Sequence, residues 1–246
     1  MTRGRSARDR KLITAVYEGD RGAVARLLAA GASPEAADED GRTALYLAAV
    51  LDGDEESVRL LLAAGADPER RSADGESPLC GAAVHGRTGV VRALLTAGAR
   101  PDTPESDGFT AMTWAVREGH AETVRVLLEH GADPALPSPH GELPLVAAAV
   151  RGSAATVRIL LEHGAPGRDG ALAEARTWRE RDVAAELRTV LTASYEGPLE
   201  TVTRLEDGAD GTNVVVEVVR DGIPRAGASR GTGHAEIVAL LEAAPR

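Results

Sequence analysis

The chain has 246 residues and a formal net charge of −10, enough length for one elongated array or up to two compact domains. That charge excludes a general nucleic-acid binder, because neutralising phosphates needs a basic face. One Phe, two Trp and three Tyr leave the core to Ala, Leu and Val, and the single cysteine, Cys80, excludes an internal disulfide framework and fits a reducing compartment.

Lys11 is the only lysine among 28 basic residues, a bias expected of a GC-rich, bacterial genome rather than of selected guanidinium contacts. The N-terminus is too charged for a signal peptide, and no apolar run reaches membrane-spanning length. A cytoplasmic protein with no membrane contact is the expectation. Arg3, Arg5, Arg8, Arg10 and Lys11 against Asp9 give a local excess of five minus one, or +4. A solvated, disordered tail over residues 1–8 accounts for such a run better than a nucleic-acid arm.

Residues 9–34 form a first, incomplete unit, with helices predicted over 10–18 and 21–30 and an inward face of Leu12, Ile13, Val16, Val24, Leu27 and Leu28. A regular beat follows. A helix-breaking glycine falls at Gly19, Gly53, Gly86, Gly119 and Gly152, in steps of 34, 33, 33 and 33. A glycine closing the second helix falls at Gly31, Gly65, Gly98, Gly131 and Gly164, and a turn glycine at Gly41, Gly75, Gly108 and Gly141. Leucine pairs 27–28, 61–62, 94–95, 127–128 and 160–161 supply a buried stripe, and the alanines of the first helices let neighbours approach closely. Each unit, a turn and two short helices, is too small to bury its own apolar face and must stack on its copies.

The stretch Asp107–Pro134, DGFTAMTWAVREGHAETVRVLLEHGADP, shows the unit most fully. Its period and turn-helix-helix plan resemble the ankyrin repeat, over units at about 9–34, 35–68, 69–101, 102–134 and 135–166. The resemblance implies a mainly α solenoid with β-turn tips. The family's Thr-Pro-Leu-His box reads Thr43-Ala44-Leu45-Tyr46, Ser77-Pro78-Leu79-Cys80, Thr110-Ala111-Met112-Thr113 and Leu143-Pro144-Leu145-Val146, without the histidine that ties the turn in the family. An inserted residue around Asp52 is expected to bulge one helix-helix corner.

Beyond Asp169 the pattern decays. Residues 167–192 read as a worn capping unit of two helical pieces broken near Arg179-Glu180-Arg181, so the array is expected to run over 9–192. Residues 193–246 read as an appendix. Valine- and threonine-rich stretches at 201–206 and 212–220, bounded by Asp-Gly pairs, predict a β-hairpin. Residues 223–231 are expected as loop, and 232–241 as a returning half-repeat whose helix docks on the worn unit while the hairpin stands in place of a first helix.

The resemblance implies a protein partner held against turn tips and first helices. Carried over by position, that surface contains Glu39, Asp40, Arg42, Leu51, Asp74, Glu76, Val84, His85, Asp107, Phe109, Trp114, Arg117, Glu118, His140, Glu142 and Arg151. Its tips lean acidic and suit a partner with a basic patch. Phe109, the one phenylalanine, either anchors that partner or folds onto a neighbouring turn. Trp114 is expected to pack over Gly81. The alternative function is an enzyme or small-molecule binder using His85, Trp114, Glu118 and Arg151, with His85 and Glu118 as the acid-base candidates. A third reading makes the C-terminal appendix a docking or dimer contact. No cofactor or metal is expected: the histidines at 120, 130, 163 and 234 sit where the family pattern itself favours histidine, and repeats hold such residues apart.

Overall fold

The computed structural model describes residues 6–51, 54–193, 200–208, 211–220 and 223–243. The expected break glycine Gly53, the inserted Asp52, and Arg3 and Arg5 of the basic run lie outside these. Helices α1 (Ala7–Tyr17), α2 (Arg21–Ala29), α3 (Ala44–Val50), α4 (Glu55–Ala63), α5 (Pro78–Val84), α6 (Thr88–Thr96), α7 (Ala111–Glu118) and α8 (Ala121–Glu129) come first. They are followed by α9 (Pro144–Arg151), α10 (Ala154–Glu162), α11 (Arg168–Arg179) and α12 (Val183–Thr192). Strands β1 (Glu200–Gly208), β2 (Gly211–Arg220) and β3 (Ile223–Gly231) and helix α13 (His234–Ala243) complete the chain.

Short polar side chains start these helices. Ser6 and Asp9 form a reciprocal capping box on α1, so that helix begins three residues before the expected Arg10 and takes Ala7 and Arg8 out of the predicted tail. Asp20, Thr43, Ser77, Ser153 and Asp182 each accept a backbone N–H at the start of α2, α3, α5, α10 and α12. Every described glycine of the three periodic columns has positive φ. The effect is sharpest at Gly41, with φ +76° and the place of a missing side chain only 2.7 Å from Ala73 Cβ of the next unit, so only glycine fits both the turn and the close approach.

The chain divides into two compact units, the first Met1–Glu118, Glu122–Asp133 and Ser138–His140, the second Gly119–Ala121, Pro134–Pro137 and Gly141–Arg246. In the first, α1, α3, α5 and α7 pack in succession, and α2, α4 and α6 do the same behind them. Leu61, Leu94, Leu95, Leu127 and Leu128 are buried, while Leu27, Leu28 and Leu62 are half-buried. A ladder of carboxylates ties the two ends of each repeat together. The backbone N–H groups of Asp67, Arg100 and Asp133 donate to Glu35, Glu69 and Asp102 of the preceding inter-repeat turn, and that of Ser33 donates to Asp9 in α1. A carboxylate bonded in this way is stronger than a neutral acceptor.

The second unit contains α9 to α13 and the sheet, so the border expected at 192/193 falls inside it. Here α11 packs on α9 as a following first helix would, and α13 packs on both α10 and α11 as a second helix would. Ion pairs Arg158–Glu236 (2.6 Å) and Arg176–Glu242 (2.7 Å) hold α13 there. Helix α12, expected as the worn unit's second helix, instead packs against β2 and β3. The last repeat is thus split. Its first helix is α11, its second is α13, and α12 with the sheet is inserted between them. The sheet stands at the helix-helix corner and not, as expected, in place of a first helix.

Residues 223–231 correct the loop expectation. They form β3, antiparallel to β2, in a sheet ordered β1-β2-β3. Proline and two glycines argue against a strand there, but an edge position tolerates both. Pro224 pairs with Val219 beside the register shift at Val218/Val219, where a missing N–H costs little. Val214, Val216 and Val218 are buried along β2, and Arg188 of α12 donates to Thr203 of β1 at 3.2 Å.

Candidate functional site

Each turn tip of the first unit is organised by one column that the sequence reading did not single out: Asp38, Ser72 and Glu105, in steps of 34 and 33. The backbone N–H of each bonds the carbonyl four residues on, at Arg42, Glu76 and Phe109, and its carbonyl accepts the turn glycine's N–H. Two of these side chains tie the tips to the helices, work done by histidine in the family pattern.

Asp38 is buried and accepts the Tyr17 hydroxyl at 2.7 Å, the Arg42 backbone N–H at 2.9 Å and Arg42 Nε at 2.8 Å. Burial alone pushes its pKa up, but these donors together hold it below the usual carboxylate value. Glu105 accepts the Ser77 N–H at 2.8 Å and Trp114 Nε1 at 3.0 Å. Burial dominates at Glu105, helped by the charges of Glu76 and Asp107, and its pKa is raised. Tyr46, standing in one box for the missing histidine, donates its hydroxyl to Glu76 of the next tip at 2.6 Å.

The expected surface residues divide accordingly. Glu39, Asp40, Asp74, Glu76, Asp107, His85, Arg117, Glu118, His140 and Glu142 are exposed, as is Leu51. Arg42 is half-buried and paired with Asp38 and Asp40. Phe109 is not an exposed anchor. It is only 9% exposed, with its ring 4.8 Å from that of Trp114 and 5.8 Å, edge-on, from that of His140 on the following tip. The Arg117 guanidinium lies 5.3 Å from both the Phe109 and Trp114 rings. At Gly81 the atoms nearest the place of the missing side chain belong to Val50 and Tyr46 of the preceding unit.

Of the four residues expected to share a groove, His85, Trp114 and Glu118 belong to the first unit and Arg151 to the second. His85 follows α5 as its C-cap, Glu118 ends α7, and Arg151 reaches Asn213 of β2 at 3.5 Å. Trp114 spends its indole N–H on Glu105. Cys80 is buried, and burial with the nearby Glu105 charge pushes its thiol up to about 12, which leaves almost no thiolate to act as a nucleophile near neutrality. Among the described residues no group of His, Cys, Asp and Glu is placed to hold a metal ion, and no helix is long and apolar enough to cross a membrane.

Helix pairs in register, glycine-closed and bearing β-turn tips, define a repeat protein of the ankyrin class. The chain matches the description Ankyrin repeats (3 copies) over residues 12–105, 47–138 and 97–169, and it belongs to that family. Ankyrin repeats are in general protein–protein interaction modules. No curated protein matches the chain.

Proposed function

We propose that this protein binds a partner protein carrying a basic patch, through the turn tips and first helices of its first unit. One observation carries the reading. Glu39, Asp40, Asp74, Glu76 and Asp107 are all exposed on three successive tips, while Arg42, the basic residue among these tip positions, is already engaged by Asp38 and Asp40. A preformed acidic ribbon of this kind steers a basic partner and rejects an acidic one.

The tips are stiffened from below by the Tyr17–Asp38–Arg42 and Ser77–Glu105–Trp114 ties, so little ordering remains to oppose binding. A pulldown from native extract, repeated with Asp40→Lys/Asp74→Lys, tests the reading. Partner capture is expected to fall with the double variant and with rising salt. Capture indifferent to both removes the acidic ribbon from the binding surface.

A further inference from the structure

Strand β1 is an outer strand of the sheet: β2 pairs with one of its edges, and no described strand pairs with the other. Natural sheets protect such edges by making them short, by bulges, by proline or by charged side chains. β1 has none of the first three, and its charged residues Glu200, Arg204 and Glu206 are of both signs, so a second copy can complement them. It is nine residues long, contains no proline, and pairs with β2 in unbroken register from Glu200↔Val219 to Gly208↔Gly211.

Its side chains are exposed from Glu200 to Glu206, with Leu205 at 70% and Val202 at 45%. Val190 of the adjoining α12 is 69% exposed. Three of the large apolar residues that the described chain leaves in water therefore gather on this one inserted module. Leu205 in particular makes little use of its own sheet.

We infer that the free edge of β1 pairs antiparallel with the β1 edge of a second copy of this chain, about a twofold axis at Leu205. The register follows from faces and charges. A twofold axis perpendicular to the sheet keeps each side chain on its own face, so the axis must pass through a residue rather than between two. Centring on Arg204 sets that arginine against itself, and centring on Thr203 sets Glu200 against Glu206. Centring on Val202 pairs Glu200 with Arg204 but sets only residues 200–204 of β1 opposite each other and leaves Leu205 outside them.

Centring on Leu205 satisfies the strand. Leu205 meets Leu205, and Arg204 meets Glu206 twice. Opposite charges and apolar pairs facing each other are what stabilise adjacent strands. Arg204 already binds Glu206 and Glu217 within one chain, so the second copy extends an existing network. The seven-residue edges, 202–208, then give their outward N–H and C=O groups to each other, the usual currency of strand addition.

Sedimentation of the full chain across concentration tests this. The expected result is a reversible species of twice 25.5 kDa. Leu205→Lys, at a site exposed enough to leave the fold intact by far-UV circular dichroism, is expected to weaken association by ~10-fold or more. The register has its own readout. Under mild oxidation Leu205→Cys is expected to cross-link copies, while Val202→Cys, which the register sets opposite Gly208, is not; Cys80 is buried and silent in both. A wild type that stays monomeric at about 100 µM, a dimer indifferent to Leu205→Lys, or equal cross-linking at the two cysteines each overturns the inference.

Discussion

Phe109→Ala separates a packing residue from a binding anchor. Phe109 is buried against Trp114 at 4.8 Å and His140 at 5.8 Å, beneath the Arg117 guanidinium. Removing the ring gives up roughly 2 kcal/mol of apolar burial and about 1 kcal/mol of aromatic pairing. The tip is at the surface and can close partly over the gap, so the cost of an enclosed cavity does not apply in full. The expected loss is therefore about 3 kcal/mol, below the upper range for a central phenylalanine. With a urea slope of ~2 kcal/mol/M, the unfolding midpoint moves down by ~1.5 M. Phe109→Leu, which keeps most of the volume, is expected to lose less than half as much. A loss below ~1 kcal/mol for Phe109→Ala, accompanied by weaker partner capture, refutes the packing argument and restores the anchor.

Two further outcomes follow from the ties described above. Asp38 has a folded pKa below its ordinary value, so its contribution is fully present above about pH 4 and is lost as pH falls through the folded value. Asp38→Asn should cost about 2 kcal/mol at pH 7, with the gap from wild type narrowing below ~pH 4; parallel stability–pH curves for the two proteins would show that the carboxylate is not held as described. Gly152→Ala forces a side chain to within 2.2 Å of the Gly231 carbonyl oxygen at a φ of +82°. It is expected to cost more than about 2 kcal/mol and to speed hydrogen exchange in β3 and α13; unchanged exchange there would mean that the split repeat does not close through this contact.

Within the repeats, legibility followed from redundancy. The glycine columns and leucine pairs state the same helix pair five times, so errors at one unit are corrected by the next, and even α1 was misplaced only at its start, where Ser6 and Asp9 cap it. The site was less legible. Exposed acidic tips were readable as residue types at known positions. The inward column of Asp38 and Glu105 was not, although its 33-residue spacing was present, because Ser72 interrupts its chemistry. Phe109 was ambiguous in the sequence, since an aromatic ring at a tip has no periodic partner; His140 lies on the next tip, 31 residues away.

The amino-acid order alone determined the repeat, its length, its helix ends and its apolar spine, because each of these depends on contacts repeated at a fixed short separation. The tertiary structure decided the pairing of α11 with α13 across an insertion of more than fifty residues, the third strand, and the partners of α12. Those choices rest on which surfaces remain uncovered once the rest has folded: β2 had backbone groups to satisfy and α11 had a flank to bury. Local propensity at 223–231 favoured a loop, and the need to pair a buried valine strand outweighed it.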